Sequence, residues 1–195
     1  MQKQEIYDQI LRRNQAWVAQ ALSLDPAYFQ KMGADQAPFI LYFGCSDSRI
    51  PIHSLTGTAV GDIFIHRNVA NQFRPDDPSA YATLEYALTV LKIRQVVVCG
   101  HESCGGIQGA IQDTTLPHVS RWIAPIVALR KENAGMLDAL GSLSEKQTCL
   151  AKLNIHQQID TIRKSDIYQS LSDAEKPQLH GWFFEITTGK LTVID

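Results

Sequence analysis

Three short apolar runs separated by stretches of a different period constrain this chain more than any other feature. They are Pro38-Phe-Ile-Leu-Tyr-Phe43, Asp62-Ile-Phe-Ile-His66 and Arg94-Gln-Val-Val-Val-Cys99, and the first and third stop at a glycine, Gly44 and Gly100. Each has the length of one buried strand and is too short for a buried helix. Between the second and third, residues 79–92 place Tyr81, Leu84, Ala87, Leu88 and Leu91 at helical spacing. Strands alternating with helices predict an α/β fold with a mainly parallel central sheet flanked by helices. Residues 116–165 read as helical, with Trp122, Ile126, Leu129, Leu150, Leu153, Ile159 and Ile162 inward. Residues 179–186 and 191–194 flank Thr187-Thr188-Gly189-Lys190, which predicts two strands joined by a tight turn, the last antiparallel at the sheet edge.

Ahead of the first strand, residues 4–22 space Ile6, Ile10, Trp17, Val18, Ala21 and Leu22 near one helical face, with Arg12, Arg13 and Gln20 between them. This amphipathic helix either lies on its own core or meets a second subunit. With 195 residues, 45% of them hydrophobic, and no repeat or linker, one domain over 1–195 is expected, an N-terminal helical arm 1–35 and an α/β core 36–195. A formal net charge of -2 gives no basic surface for nucleic acid or an anionic membrane, so the partner class is a small molecule or a protein. The polar start MQKQEIYDQI and the lack of a long apolar stretch predict a cytoplasmic setting, where four cysteines serve as buried thiols or metal ligands rather than disulfides.

Ligands of an open α/β sheet gather at the carboxyl ends of its strands. Two such ends here carry cysteine: Cys45-Ser46-Asp47-Ser48-Arg49 and His101-Glu102-Ser103-Cys104-Gly105-Gly106. Thiolates and a neutral imidazole are preferred zinc donors, and three protein ligands leave a fourth tetrahedral position open, as in a catalytic site. Taken singly, Cys45 reads more readily as a small buried hydrophobe than as a ligand. The two elements together, with an Asp and an Arg interleaved, point to Cys45, His101 and Cys104 as one metal set. Cys99, inside an apolar run, and Cys149, inside a helical pattern, read as structural thiols, and His66, His118 and His156 as surface or structural residues. Gly105 and Gly106 open a predicted helix, where they serve either an anion or close packing.

The chain resembles the β-class carbonic anhydrases. The resemblance is carried by Cys45-Ser-Asp-Ser-Arg49, His66-Arg-Asn-Val-Ala-Asn71, Gly100-His-Glu-Ser-Cys-Gly-Gly106 and His180-Gly-Trp182, and runs from about Gln36 onward. It implies one zinc ion per chain, reversible hydration of carbon dioxide to bicarbonate and a proton, and a homodimer that often pairs into a tetramer. It implies Asp47 as the residue orienting the nucleophile, and in a closed state as a fourth zinc ligand, with Arg49 as its gate. It implies Gln36 as a donor to substrate, Gly105 as part of the bicarbonate site, and Phe64, Val69 and Tyr86 as an apolar lining partly supplied by the neighbouring subunit. Some members hold the closed state with a noncatalytic bicarbonate among a Trp, an Arg and a Tyr. Here Arg67 matches the Arg, but Tyr42 and Phe184 stand at the other two positions, so Asp47 is expected to pair with Arg49 instead. Hydrolysis of carbonyl sulfide or carbon disulfide, and a noncatalytic zinc or bicarbonate sensor, are the competing readings.

Overall fold

The computed structural model describes residues 3–194. It divides into two compact units, Met1–Ala37 and Pro38–Asp195. In the first, helix Lys3–Leu24 precedes the short helix Tyr28–Met32, and Trp17 meets Tyr28 and Phe29 edge to face at 6.3 and 5.3 Å. Ile6, Tyr7, Ile10 and Leu11 on the first helix are exposed. Among the described residues, no helix is long and apolar enough to cross a membrane.

The second unit is built on five strands, β1 (Ile40–Cys45), β2 (Ile63–Asn68), β3 (Gln95–His101), β4 (Gln178–Glu185) and β5 (Lys190–Ile194), in the order β2-β1-β3-β4-β5. β2, β1, β3 and β4 run parallel, and β5 returns antiparallel along β4 at the edge, the expected hairpin. Side chains alternate across this sheet. Leu41, Phe43 and Cys45 with Val96 and Val98 join the larger core, while Tyr42, Val97, Cys99 and Phe184 face a smaller one closed by Ile50 and Ile52.

Both strands that carry the cysteine motifs run about two residues further than the apolar runs suggest. The glycines that read as stops are instead interior strand positions where something approaches closely. A Cβ on Gly44 would lie 2.1 Å from the Tyr42 ring, and one on Gly100 would lie 2.9 Å from Ile155 Cδ1. Ile155 belongs to helix Leu143–Lys164, whose buried face is Leu150, Ala151, Asn154, Ile155, Gln158, Ile159 and Ile162. Gly100 of β3 and Gly181 of β4 let that helix settle onto the sheet. The consequence for the site is that Cys45 and His101 are the last residues of their strands and inherit the rigidity of the ladder.

The helical stretch 116–165 is four helices, Pro117–Trp122, Ala124–Glu132, Ala134–Asp138 and Leu143–Lys164. Pro117 and Pro125 sit in first turns, where a missing N–H costs nothing. The long helix opens with a capping box in which Ser142 Oγ accepts from Glu145 N and Glu145 Oε2 accepts from Ser142 N. The predicted helix 79–92 is α-helical over Pro78–Glu85, continues as a π-helical stretch Tyr86–Val90, and ends before Lys92, which takes φ 56°.

Candidate metal centre

β1 and β3 are direct neighbours, with Gly44 opposite Cys99, so their carboxyl ends place Cys45 and His101 side by side. The loop after His101 turns through Ser103, held at φ 54°, and delivers Cys104 to the start of helix Gly105–Ile111. The donor atoms of Cys45, His101 and Cys104 all lie within 4.8 Å of one another, and all three residues are buried. The two Sγ atoms are 3.9 Å apart. Tetrahedral geometry with metal–sulfur bonds near 2.3 Å requires a sulfur–sulfur edge of about 3.8 Å, so the pair is spaced for one ion.

The imidazole supplies an independent sign. His101 Nδ1 lies 2.8 Å from Glu102 O, a contact in which the ring N–H donates to the carbonyl, leaving the other ring nitrogen with a lone pair. That Nε2 is buried and has no hydrogen-bond partner among the described residues. A buried unsatisfied nitrogen costs about 1–3 kcal/mol unless something binds it. The thiols show the same incompleteness. The Cys104 thiol pulls Cys45 down, while Cys45 and burial push Cys104 up, so the two sulfurs are tightly coupled. A divalent cation satisfies both sulfurs and completes the imidazole; the residues present fit zinc.

Around this cluster the chain places charge with care. Asp47 Oδ1 accepts from Arg49 N at 2.9 Å and Nε at 3.0 Å, and Asp47 Oδ2 accepts from Arg49 Nη2 at 2.7 Å. This bidentate pairing holds the Asp47 carboxyl well below the usual carboxylate range. Asp47 Oδ2 stands 3.9 Å from His101 Nε2, so the carboxylate borders the metal set while its lone pairs are turned to the guanidinium. Arg49 Nη2 also reaches Ser103 O at 3.2 Å, tying the two ligand loops together.

Arg67 takes a place that the sequence did not reveal. Its Nε donates to Cys45 O at 2.8 Å and its Nη2 to Asp47 O at 2.6 Å, bracing the loop from behind. Tyr42 Oη is buried without a hydrogen-bond partner among the described residues, and burial, with Cys99 beside it, pushes the phenol far above its ordinary range. Glu102 is a second unforeseen contributor. Its N donates to Phe184 O at 2.9 Å, and its carboxylate accepts from Thr187 N and Thr187 Oγ1 at 3.0 and 2.9 Å, contacts that hold its carboxyl below the usual range.

The remaining expected residues divide into near and far. Gly105 adjoins Cys104, and nothing lies within 4 Å of where its Cβ would be, so close packing does not demand a glycine there. Gly106 is the opposite case: a Cβ would lie 2.8 Å from Ala70 Cβ and 3.0 Å from Val69 Cγ1. That contact also places Val69 beside the loop of Cys104. Phe64 and Tyr86 stack at 5.9 Å, but Phe64 is opposite Leu41, four positions before Cys45, or about 13 Å down the strand. They are therefore not brought to the cluster of their own chain. Gln36 is exposed and belongs to the first unit. His66 is held by Thr83 Oγ1 and Asn68 Nδ2, both at 3.3 Å, outside the site.

Comparison with known proteins agrees with this geometry. The family model for carbonic anhydrase matches residues 40–191. The chain is similar to the carbonic anhydrase of Emericella nidulans, 36% identical over 189 residues that cover 96% of this chain and 83% of that protein. It is likewise similar to the carbonic anhydrase of Saccharomyces cerevisiae, 31% identical and covering 95% of this chain and 87% of that one. Among solved structures, a chain from the two tetrameric β-carbonic anhydrases of the filamentous ascomycete Sordaria macrospora superposes with a TM-score of 0.93 at 34% identity, covering 97% of each. A β-carbonic anhydrase of Aspergillus fumigatus superposes at 0.92 with 32% identity, covering 97% of this chain and 90% of that one. Sequence, fold and the buried cysteine–histidine–cysteine cluster agree, and the chain belongs to the β-class carbonic anhydrases.

Proposed function

We propose that this carbonic anhydrase hydrates carbon dioxide reversibly at a single zinc ion held by Cys45, His101 and Cys104. The observation that carries the reading is the unpartnered, buried Nε2 of His101 within 4.8 Å of two buried thiols. Zinc, when bound, supplies the Lewis acidity that makes hydroxide available near neutral pH. The protein's own residues then govern orientation. Asp47, kept ionised by Arg49, can only accept hydrogen bonds, so it fixes the proton of the attacking oxygen and turns a lone pair toward carbon dioxide. Arg49 keeps that carboxylate beside the ligands rather than among them.

Gly105, with open space where a side chain would project, presents its backbone N–H to an oxygen of bicarbonate. Val69 contributes an apolar wall. Phe64 and Tyr86, distant from their own cluster, fit the reading in which a second copy supplies part of the pocket; the role of Gln36 rests on sequence resemblance alone. The assembly proposed is a homodimer, with a tetramer as the further state, supported by exposed Ile65, Val69, Tyr86 and Val90 along and after edge strand β2 and by the tetrameric relatives from Sordaria macrospora. Stopped-flow hydration and sulfide release from carbon disulfide, measured on one sample of known zinc content, test the function. Fast hydration with one zinc per chain supports it. Sulfide release without hydration would reassign the substrate, and neither activity in a zinc-loaded protein would point to a sensor.

A further inference from the structure

Glu102 is fixed at three points, and each serves a different neighbour. Its N–H donates to Phe184 O of β4, its carboxylate takes two hydrogen bonds from Thr187 in the β4–β5 turn, and its carbonyl accepts from His101 Nδ1. The peptide that orients the imidazole is thus itself pinned to the C-terminal hairpin, 85 residues away in sequence. The next residue, Ser103, occupies the left-handed region at φ 54°, a conformation that a residue with a Cβ rarely adopts. The turn through Glu102 and Ser103 is braced by contacts on either side of Ser103. They are the Glu102–Thr187 clamp before it and Arg49 on the Ser103 carbonyl after it.

We propose that Glu102 and Thr187 are positioning residues for the metal ligands, the clamp between them setting the direction of His101 Nε2 and the reach of Cys104. This rests on the metal-centre reading and deepens it. Groups that orient a ligating histidine typically change metal affinity by about 10-fold to 100-fold when removed. A clamp one step further out, acting through a peptide, is expected near the lower end.

The clamp is accessible at the surface, so its removal leaves the core intact. Glu102→Leu removes both accepted hydrogen bonds, while Glu102→Gln keeps an amide oxygen in place. Thr187→Val removes the hydroxyl donor, and Thr187→Ser keeps it. The readouts are zinc release to a chelator, the ligand-field spectrum of the cobalt-substituted protein, and thermal unfolding. Glu102→Leu is expected to release zinc about tenfold faster with an altered cobalt spectrum. Thr187→Val should move the same way by less, and Glu102→Gln and Thr187→Ser should stay near wild type. If Glu102→Leu matches wild type in zinc release and cobalt spectrum, whatever its melting temperature, the positioning role is wrong. It is equally wrong if Glu102→Gln is as damaged as Glu102→Leu, since charge rather than hydrogen bonding would then be at work. A wild-type protein that binds neither zinc nor cobalt would instead overturn the metal-centre reading itself.

Discussion

Gly106 and Ala70 meet so closely that no side chain fits between them: a Cβ on Gly106 would stand 2.8 Å from Ala70 Cβ. Ala70 is fully buried and takes φ 62°, and its carbonyl accepts from Asn154 Nδ2 of the long helix, so it has little freedom to retreat. Gly106→Ala is therefore expected to destabilise the protein by about 1–3 kcal/mol through overpacking. Gly105→Ala, one residue earlier with open space around it, should stay within about 0.5 kcal/mol of wild type. Denaturant unfolding of the two variants checks the contrast; equal stability would mean that the Ala70 turn yields.

Asp47 and Arg49 border the metal set without belonging to it, so their loss should separate turnover from metal content. Asp47→Asn is expected to cut the hydration rate about a hundredfold while zinc stays bound, since a positioned acceptor of the reacting proton is lost. Arg49→Lys should fall between wild type and Asp47→Asn, because an ammonium cannot reproduce the two-pronged contact. Rate and zinc measured on the same preparation decide it. Asp47→Asn with full turnover would remove Asp47 from the mechanism.

Bicarbonate should inhibit this enzyme without cooperativity. The Arg67 Nε and Nη2 donors are already taken by the carbonyls of Cys45 and Asp47, Tyr42 is buried, and Phe184 has no hydroxyl. A ligand shifts an equilibrium only by its differential affinity for the two states, and this pocket offers an anion little in either. Simple hyperbolic inhibition is the expected result. Steep inhibition, or a neutral-pH structure with Asp47 on the metal, would contradict it.

Much of this architecture is legible in the sequence, because apolar runs and helical spacing report burial directly. The strands outrun their apolar runs for a physical reason: Gly44 and Gly100 look like breakers but are interior positions, one beneath the Tyr42 ring and the other beneath Ile155. The helical pattern of 116–165 did not show its interruptions, although Pro117, Pro125 and the Ser142–Glu145 capping box mark where new helices begin. Cys45, His101 and Cys104 could be grouped because their motifs follow adjacent strand runs. The Arg67 brace and the Glu102–Thr187 clamp could not, since those contacts depend on strand register and join residues far apart in the chain.

Association should depend on the exposed apolar side chains of the first helix. The double substitution Ile6→Glu with Ile10→Glu places charge on positions that are 44% and 57% exposed, so it does not disturb a buried core. Sedimentation is expected to show a shift toward monomer, with hydration falling in parallel at matched concentration. An unchanged assembly with full activity would remove this helix from the interface.

The central claim is that Cys45, His101 and Cys104 hold one catalytic zinc, and metal content measured beside stopped-flow hydration in five single variants tests it most directly. Cys45→Ser, His101→Ala and Cys104→Ser are each expected to lose zinc and turnover together. Cys99→Ser and Cys149→Ser, whose thiols lie outside the cluster, should keep both. Full zinc and full turnover in any one of the first three variants would contradict the account.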